Sequence, residues 1–279
     1  NNGTASGFEY RTNVYADVIS NFTGKIAGSV VENANKSYSS NWQDTTITTL
    51  LPPNSTKFLE LSQESYGIVN TLNGVYASLP RSTNGVIPQH LFSFNVIKAF
   101  EKQHGNIPST DQTTTGKVAW LKDNLSDISA KWYGYGSCPS GNKASIYIFS
   151  NAWYKNATGW DVFTSSPSLI MASTSNFNAY IQADGFIHYL VCTDASDGVT
   201  ASTVYTDYVS LTLTTSGASG SDGAGVVNFD GVDDSVRLSN EIVSNQSIRA
   251  RGVTYSAWVN MNSLGECRIF GQQIDYRYS

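Results

Sequence analysis

"STVYTDYVSLTLTT", Ser202–Thr215, decides the fold. β-Branched and aromatic residues fill it, neither Gly nor Pro interrupts it, and Val209, Leu211 and Leu213 fall on one side at a period of two. This is a long strand with a buried face. Upstream, "NAYIQADGFIHYLVC" (178–192) reads as a hairpin, with Asp184-Gly185 supplying the positive φ angles of a tight turn. Its second arm sets Phe186, His188, Leu190 and Cys192 on one face and Ile187, Tyr189 and Val191 on the other. "ASIYIFS" (144–150) is a further strand, and residues 8–31 alternate imperfectly and read as two or three more.

Two stretches break this period. In "HLFSFNVIKAFEKQHG" (90–105), Phe92, Val96, Ala99 and Phe100 fall on one helical face, with Gly105 as C-cap and Pro108 beyond it. "TTGKVAWLKDNLSDI" (114–128) places Val118, Leu121 and Leu125 together, a second short helix. Residues 32–56 are rich in Asn, Ser and Thr and read as loop, and residues 57–80 fit neither period. "SGASGSDGAG" (216–225) can bury nothing and reads as a flexible linker. The expected fold is mainly β, an antiparallel jelly-roll-like sandwich over 1–215 with two short helices and a secondary break near 80–88.

Composition bounds the function. Charged residues are only 14% of the chain and the net charge is −5, with no dense basic run, which argues against a nucleic-acid partner. No apolar stretch is long enough for a transmembrane helix, and no signal peptide is visible at the N-terminus. Cys138, Cys192 and Cys267 form no metal-binding spacing and read as small buried thiols; His90, His104 and His188 are scattered. GxSxG, HExxH, P-loop and dinucleotide motifs are absent, as is a local carboxylate motif of the ExDxE kind, so the chain reads as a non-enzyme without a cofactor.

Acidic residues gather twice, at Asp184, Asp194 and Asp197 and at Asp230, Asp233 and Asp234. Oxygen-rich turns hold calcium, and the second group is the candidate calcium site; the competing reading is that Asp-Gly pairs simply make turns. Aromatics gather twice as well. "KWYGYGSCPSGNKA" carries Trp132, Tyr133 and Tyr135, and "NAWYKNATGW" carries Trp153, Tyr154 and Trp160 among Asn and Thr. Exposed rings stack on sugar faces while neighbouring amides bond the hydroxyls, so Trp153, Tyr154 and Trp160 are the candidate glycan-binding residues. The competing reading places these rings in the core or at a subunit interface.

Two resemblances add context. "VNFDGVDDSVRL" (227–238) and "VTYSAWVN" (253–260) resemble the opening strands of a laminin G-like, concanavalin A-like jelly roll. Such a domain is longer than what remains of the chain. The resemblance therefore implies that 226–279 is the N-terminal part of a second jelly roll and that the chain is a piece of a longer polypeptide; the missing Met at residue 1 points the same way. Residues 8–18, 89–108, 117–144, 184–191 and 196–213 resemble a module in tail-appendage and minor structural proteins of phages and prophages of Gram-positive bacteria. That resemblance implies a structural and receptor-binding segment of a tail fibre or baseplate appendage in the virion tail. Its partners would be itself as a homotrimer, other tail proteins and a host cell-surface glycan. A wall-attached or secreted adhesin and a fragment of a polysaccharide depolymerase are the rival expectations.

Overall fold

The computed structural model describes residues 15–156, 159–166, 168–174 and 177–215, the last of these ranges ending with the long strand. The chain divides into two units, Asn1–Asp222 and Gly223–Ser279. The linker 216–225, the laminin G-like stretch and Cys267 lie outside the described residues.

In chain order the elements are β1 (Val18–Ser20), β2 (Lys36–Ser40), β3 (Phe58–Glu60), α1 (Gln63–Val69), β4 (Ala77–Arg81), β5 (Gln89–Asn95), α2 (Val96–His104) and α3 (Thr114–Asn124). There follow β6 (Leu125–Ser137), β7 (Ala144–Ser150), β8 (Ala152–Tyr154), β9 (Asp161–Val162), β10 (Ser168–Thr174), a 3-10 turn at Phe177–Ala179, β11 (Phe186–Cys192) and β12 (Ser202–Thr215). Among the described residues the strands form two antiparallel sheets. The five-stranded sheet runs β1-β12-β6-β10, with β4 also on β12, and the seven-stranded sheet runs β3-β2-β5-β11-β7-β8, with β9 on β7.

β12 is the spine of the first sheet. One edge pairs with β6 along its length; the other takes β4 at Ser202–Thr206 and β1 at Leu211–Leu213. Val204, Val209, Leu211 and Leu213 of β12 meet Ile187, Tyr189 and Val191 of β11 and Phe92 and Phe94 of β5 in one core, so the sheets pack as a sandwich. A register shift between Thr206 and Tyr208 leaves Asp207 as the extra, fully buried residue. Its carboxylate accepts from the backbone N–H groups of Asn73 at 3.1 Å and Gly74 at 3.0 Å, which anchors the turn after α1. In "WYGYG", Gly134 and Gly136 are needed for close approach: a Cβ at either would meet a backbone oxygen, of Tyr205 or Lys143, at 2.1 Å.

A polar bridge joins the two sheets within the core. Trp132 Nε1 donates to Thr206 Oγ1 at 3.0 Å, and His90 Nδ1 lies 3.0 Å from the same oxygen. Burial holds the His90 ring well below its usual pKa, so this bridge is made by a neutral imidazole near pH 7. The outer face of the second sheet is also covered. Ile47 and Leu51, from the Asn- and Thr-rich loop, pack with Phe58, Val86, Leu91 and Leu190. Loop and sheet are tied by Gln89, whose side chain accepts from Leu51 N at 2.9 Å and donates to Thr49 O at 2.8 Å.

Several expectations change, and the stretch read as loop over 32–56 holds β2. Residues 178–192 are not a hairpin: the Asp184-Gly185 turn forms, with Gly185 at φ 79°, but a 3-10 turn precedes it, and β11 pairs with β5 and β7. Of residues 8–31, 8–14 lie outside the described residues, and 15–31 hold one strand of three residues, β1, and turns. The helix expected from Phe92 begins at Val96, where Asn95 Oδ1 caps it by accepting from Lys98 N at 2.9 Å. Residues 89–94 are a strand covered on both faces, and a fully buried strand has no alternation to betray it. A third helix, α1, lies within the segment that fits neither period, capped by Ser62. Residues on both sides of 80–88 belong to one core.

Candidate functional site

β8 separates the aromatic residues expected to act together. Successive side chains of a strand point to opposite faces. Trp153 turns to the outer face of the seven-stranded sheet, where its Nε1 donates to Leu51 O at 2.8 Å and its ring meets Phe149 edge-on at 5.1 Å. Tyr154 turns the other way, towards Tyr180 at 6.4 Å, and remains 63% exposed. Trp160 is 5% exposed and sits in the core, with its carbonyl accepting from Ile146 N at 3.0 Å. The expectation of sugar stacking on Trp160 is corrected by that burial, and Trp153 and Tyr154 cannot grip one ligand. The Lys of this segment, Lys155, bonds Asp161 at 2.8 Å, so its charge is spent within the domain. In the other aromatic cluster Trp132 is fully buried, while Tyr135 stacks on Tyr205 across strands at 4.3 Å.

The carboxylates of the first acidic group shape turns or bond side chains. Asp184 accepts from Phe186 N, Asp197 from Val199 N and Thr200 N, and Asp194 binds Lys143 at 2.9 Å and Ser140 at 2.8 Å. Among the described residues no group of three or more His, Cys, Asp or Glu is placed to hold a metal ion. Asp230, Asp233 and Asp234 lie outside the described residues. Cys138 and Cys192 are buried free thiols, and burial pushes Cys192 up to about 12, which keeps it protonated and inert. No described helix is long and apolar enough to cross a membrane.

A concave feature of the surface lies elsewhere, beside β4 and the turn that follows β2. It is an open cavity of about 520 Å3 lined by Ser39, Trp42, Thr45, Ser78 to Pro80, Arg81, Ser82 and Thr83. That volume falls within the range that takes small ligands. Trp42 is 67% exposed, an indole with no ring partner among the described residues. Around it stand five hydroxyl side chains and one buried cation. The local sequence explains both ends. "SSNWQDTT" (39–46) is a turn: Asp44 N donates to Asn41 O at 3.0 Å, and Asp44 Oδ1 accepts from Thr46 N at 2.8 Å. A Trp in such a turn has no strand face to enter. Opposite it, β4 alternates Ala77, Leu79 and Arg81 inward, so the third inward position is a guanidinium. Burial lowers the Arg81 pKa from its usual range, and the nearby Asp44 charge opposes that effect.

Sequence reading passed over Trp42 and Arg81. The signal was present in both: a lone Trp among turn residues with no apolar neighbour at i±2, and an Arg in register with Ala77 and Leu79.

A family model described as "Uncharacterized protein, C-terminal domain" matches residues 112–215, from just before α3 to the end of β12. No curated protein matches the chain. Among solved structures, a Bacteroides thetaiotaomicron protein described as a candidate sugar-binding protein aligns over 53% of this chain and 86% of its own, at 11% identity and a TM-score of 0.21. At that TM-score the likeness transfers neither fold nor ligand. What these comparisons and the geometry give together is an antiparallel β-sandwich whose second half matches a family model without an assigned function.

Proposed function

We propose that the described domain is a glycan-binding module, and that it serves as a structural and receptor-binding segment of a phage tail fibre or baseplate appendage. The observation that carries the binding reading is the exposed Trp42 ring at the rim of a hydroxyl-lined cavity. A pyranose offers an apolar C–H face to such a ring, and its hydroxyls exchange hydrogen bonds with Ser and Thr side chains. The reading assigns no catalysis to the chain. The tail-appendage setting rests on the resemblance of the quoted stretches, and it implies a homotrimer, since closed cyclic symmetry gives side-by-side contacts without open-ended growth. Three copies would raise a weak single-site affinity by about a hundredfold or more wherever the sites engage one surface together.

The test is retention of the full chain on purified Gram-positive cell walls, with Trp42→Ala beside it. Loss of retention at an unchanged melting temperature supports the reading. Retention unaffected by Trp42→Ala refutes this site. Light scattering tests the assembly: a monomer at micromolar concentration counts against the trimer.

A further inference from the structure

One member of the cavity wall is more than a neutral sugar requires. Arg81 is 4% exposed and lines the same cavity as Trp42. One of its Nη groups donates to the backbone carbonyl of Asp44, while its Nε is buried with no hydrogen-bond partner. Ser202, paired with Arg81 across β12 and β4, has a buried hydroxyl that is likewise unpartnered. Among the described residues no carboxylate forms an ion pair with the guanidinium. The acid whose charge acts on Arg81, Asp44, is committed elsewhere: its carboxylate accepts from Thr46 N at 2.8 Å and Thr46 Oγ1 at 2.6 Å, and faces Lys57 Nζ at 3.3 Å. The cavity lining contains no acidic side chain.

This arrangement is costly unless something completes it. An arginine cannot shed its proton to escape burial, and a buried charge with an unused donor carries a desolvation penalty. Buried polar groups are nearly always satisfied, and an exception in a cavity wall asks for a ligand. The guanidinium presents a planar fork that matches a carboxylate or phosphate. We infer that the cavity takes an acidic sugar, whose oxyanion pairs with the Arg81 guanidinium while its ring stacks on Trp42. This rests on the reading of the same cavity as a glycan site. It narrows the ligand to the shared chemistry of uronic acids and sugar phosphates: a pyranose bearing one oxyanion.

The experiment is calorimetric or NMR titration of the full chain with glucuronic acid, glucose 6-phosphate and glucose. The expected result is that at least one acidic sugar binds about ten- to a hundredfold tighter than glucose, the gain of a hydrogen bond to a charged group. That preference should shrink as sodium chloride is raised, because ion pairs are screened. A preference for glucuronic acid alone, or for glucose 6-phosphate alone, supports the inference and says which oxyanion fits. Arg81→Met should reduce the acidic sugars to the level of glucose, and Arg81→Lys should fall between, since it keeps the charge and loses the fork. If Arg81→Met does not fold, the preference and its salt dependence on the unmodified chain decide the matter. Equal affinity for all three sugars, lost in Trp42→Ala, overturns the acidic ligand and leaves the glycan site standing. No binding of any of the three overturns both.

Discussion

"NAWYKNATGW" (151–160) and "SSNWQDTT" (39–46) make an instructive pair. The first crowds three large rings into ten residues, yet the domain consumes two of them: Trp160 enters the core and Trp153 closes over Leu51. The second has one ring among polar residues, and that ring stands 67% exposed over a cavity. Aromatic density along a chain marks a strand, and a strand deals its rings alternately to two faces that neighbours then cover. A solitary ring in a turn has no such face. Availability depends on what lies opposite, not on how many rings are near in sequence.

The largest effect that could break this contrast is on stability. Trp160→Ala should lower the unfolding free energy by about 3–5 kcal/mol, the usual cost of emptying a large aromatic site in a core. Trp42→Ala should stay within about 0.5 kcal/mol, as expected for an exposed side chain. Urea unfolding of the two variants measures both; similar losses would end the distinction.

Acidification should act next, through the two buried imidazoles. His90 and His188 both sit at about 4, below the ordinary 6.5, because burial penalises the imidazolium. Asp184 opposes the shift at His188. The unfolded chain takes up these protons as pH falls below 6.5, whereas the folded chain resists until about 4. Stability is therefore complete above pH 6.5 and declines as pH drops through that window, by on the order of 3 kcal/mol for each ring. His188 lies against Phe149, which packs on Trp153, so the 151–160 side should loosen first. No imidazole lines the Trp42 cavity. Hydrogen exchange measured at pH 7 and pH 4.5 should show added exchange around β7 and β8 from His188, and along β5 and its partner β2 from His90.

The finer test is Trp153→Phe, which removes the bond to Leu51 O while keeping an aromatic body. It should cost about 1 kcal/mol, the net worth of one hydrogen bond. The smallest stability effect belongs to Trp42→Phe, which should leave the melting temperature in place and still support ligand retention in part, since a smaller ring offers a smaller stacking face.

Sequence period carried the sandwich and the long last strand, because β12 keeps an apolar side at every second residue after Val209. It failed at β5, where all six residues from Gln89 to Phe94 are buried and no alternation survives. It left α1 unread because its buried side is only Tyr66 and Val69. Partners of β11 were beyond it: the Asp184-Gly185 turn is local chemistry, but which strands flank β11 is fixed by packing remote in sequence. The site was legible in part. Arg81 sits in phase with Ala77 and Leu79, and a cation at an inward position is a conflict visible in the sequence. That Trp42 stands at the rim of the same cavity is a matter of how the 41–57 loop crosses the sheet, and no period encodes that.

The pairing of β1 with β12 has a mechanical meaning. Val18 lies opposite Leu213 and Ser20 opposite Leu211, so the strand leading into the domain and the strand leading out of it run antiparallel as direct neighbours. Thr215 Oγ1 donates to the carbonyl of Tyr15 at the outermost rung. A pull applied at residues 15 and 215 thus loads the ladder end-on. The rungs part in succession, as a zipper opens, instead of sharing the load as they would in shear. Three residue pairs join β1 to β12, and Val18 in the core, Asn35 on Ser20 and Gln103 on the carbonyl of Asp17 add to its hold. The sandwich behind it does not lie in that line: β12 keeps its long seam with β6, and the cavity wall at β4 stays paired with the far half of β12. Under tension the domain would give slack at β1 while the Trp42 cavity keeps its shape.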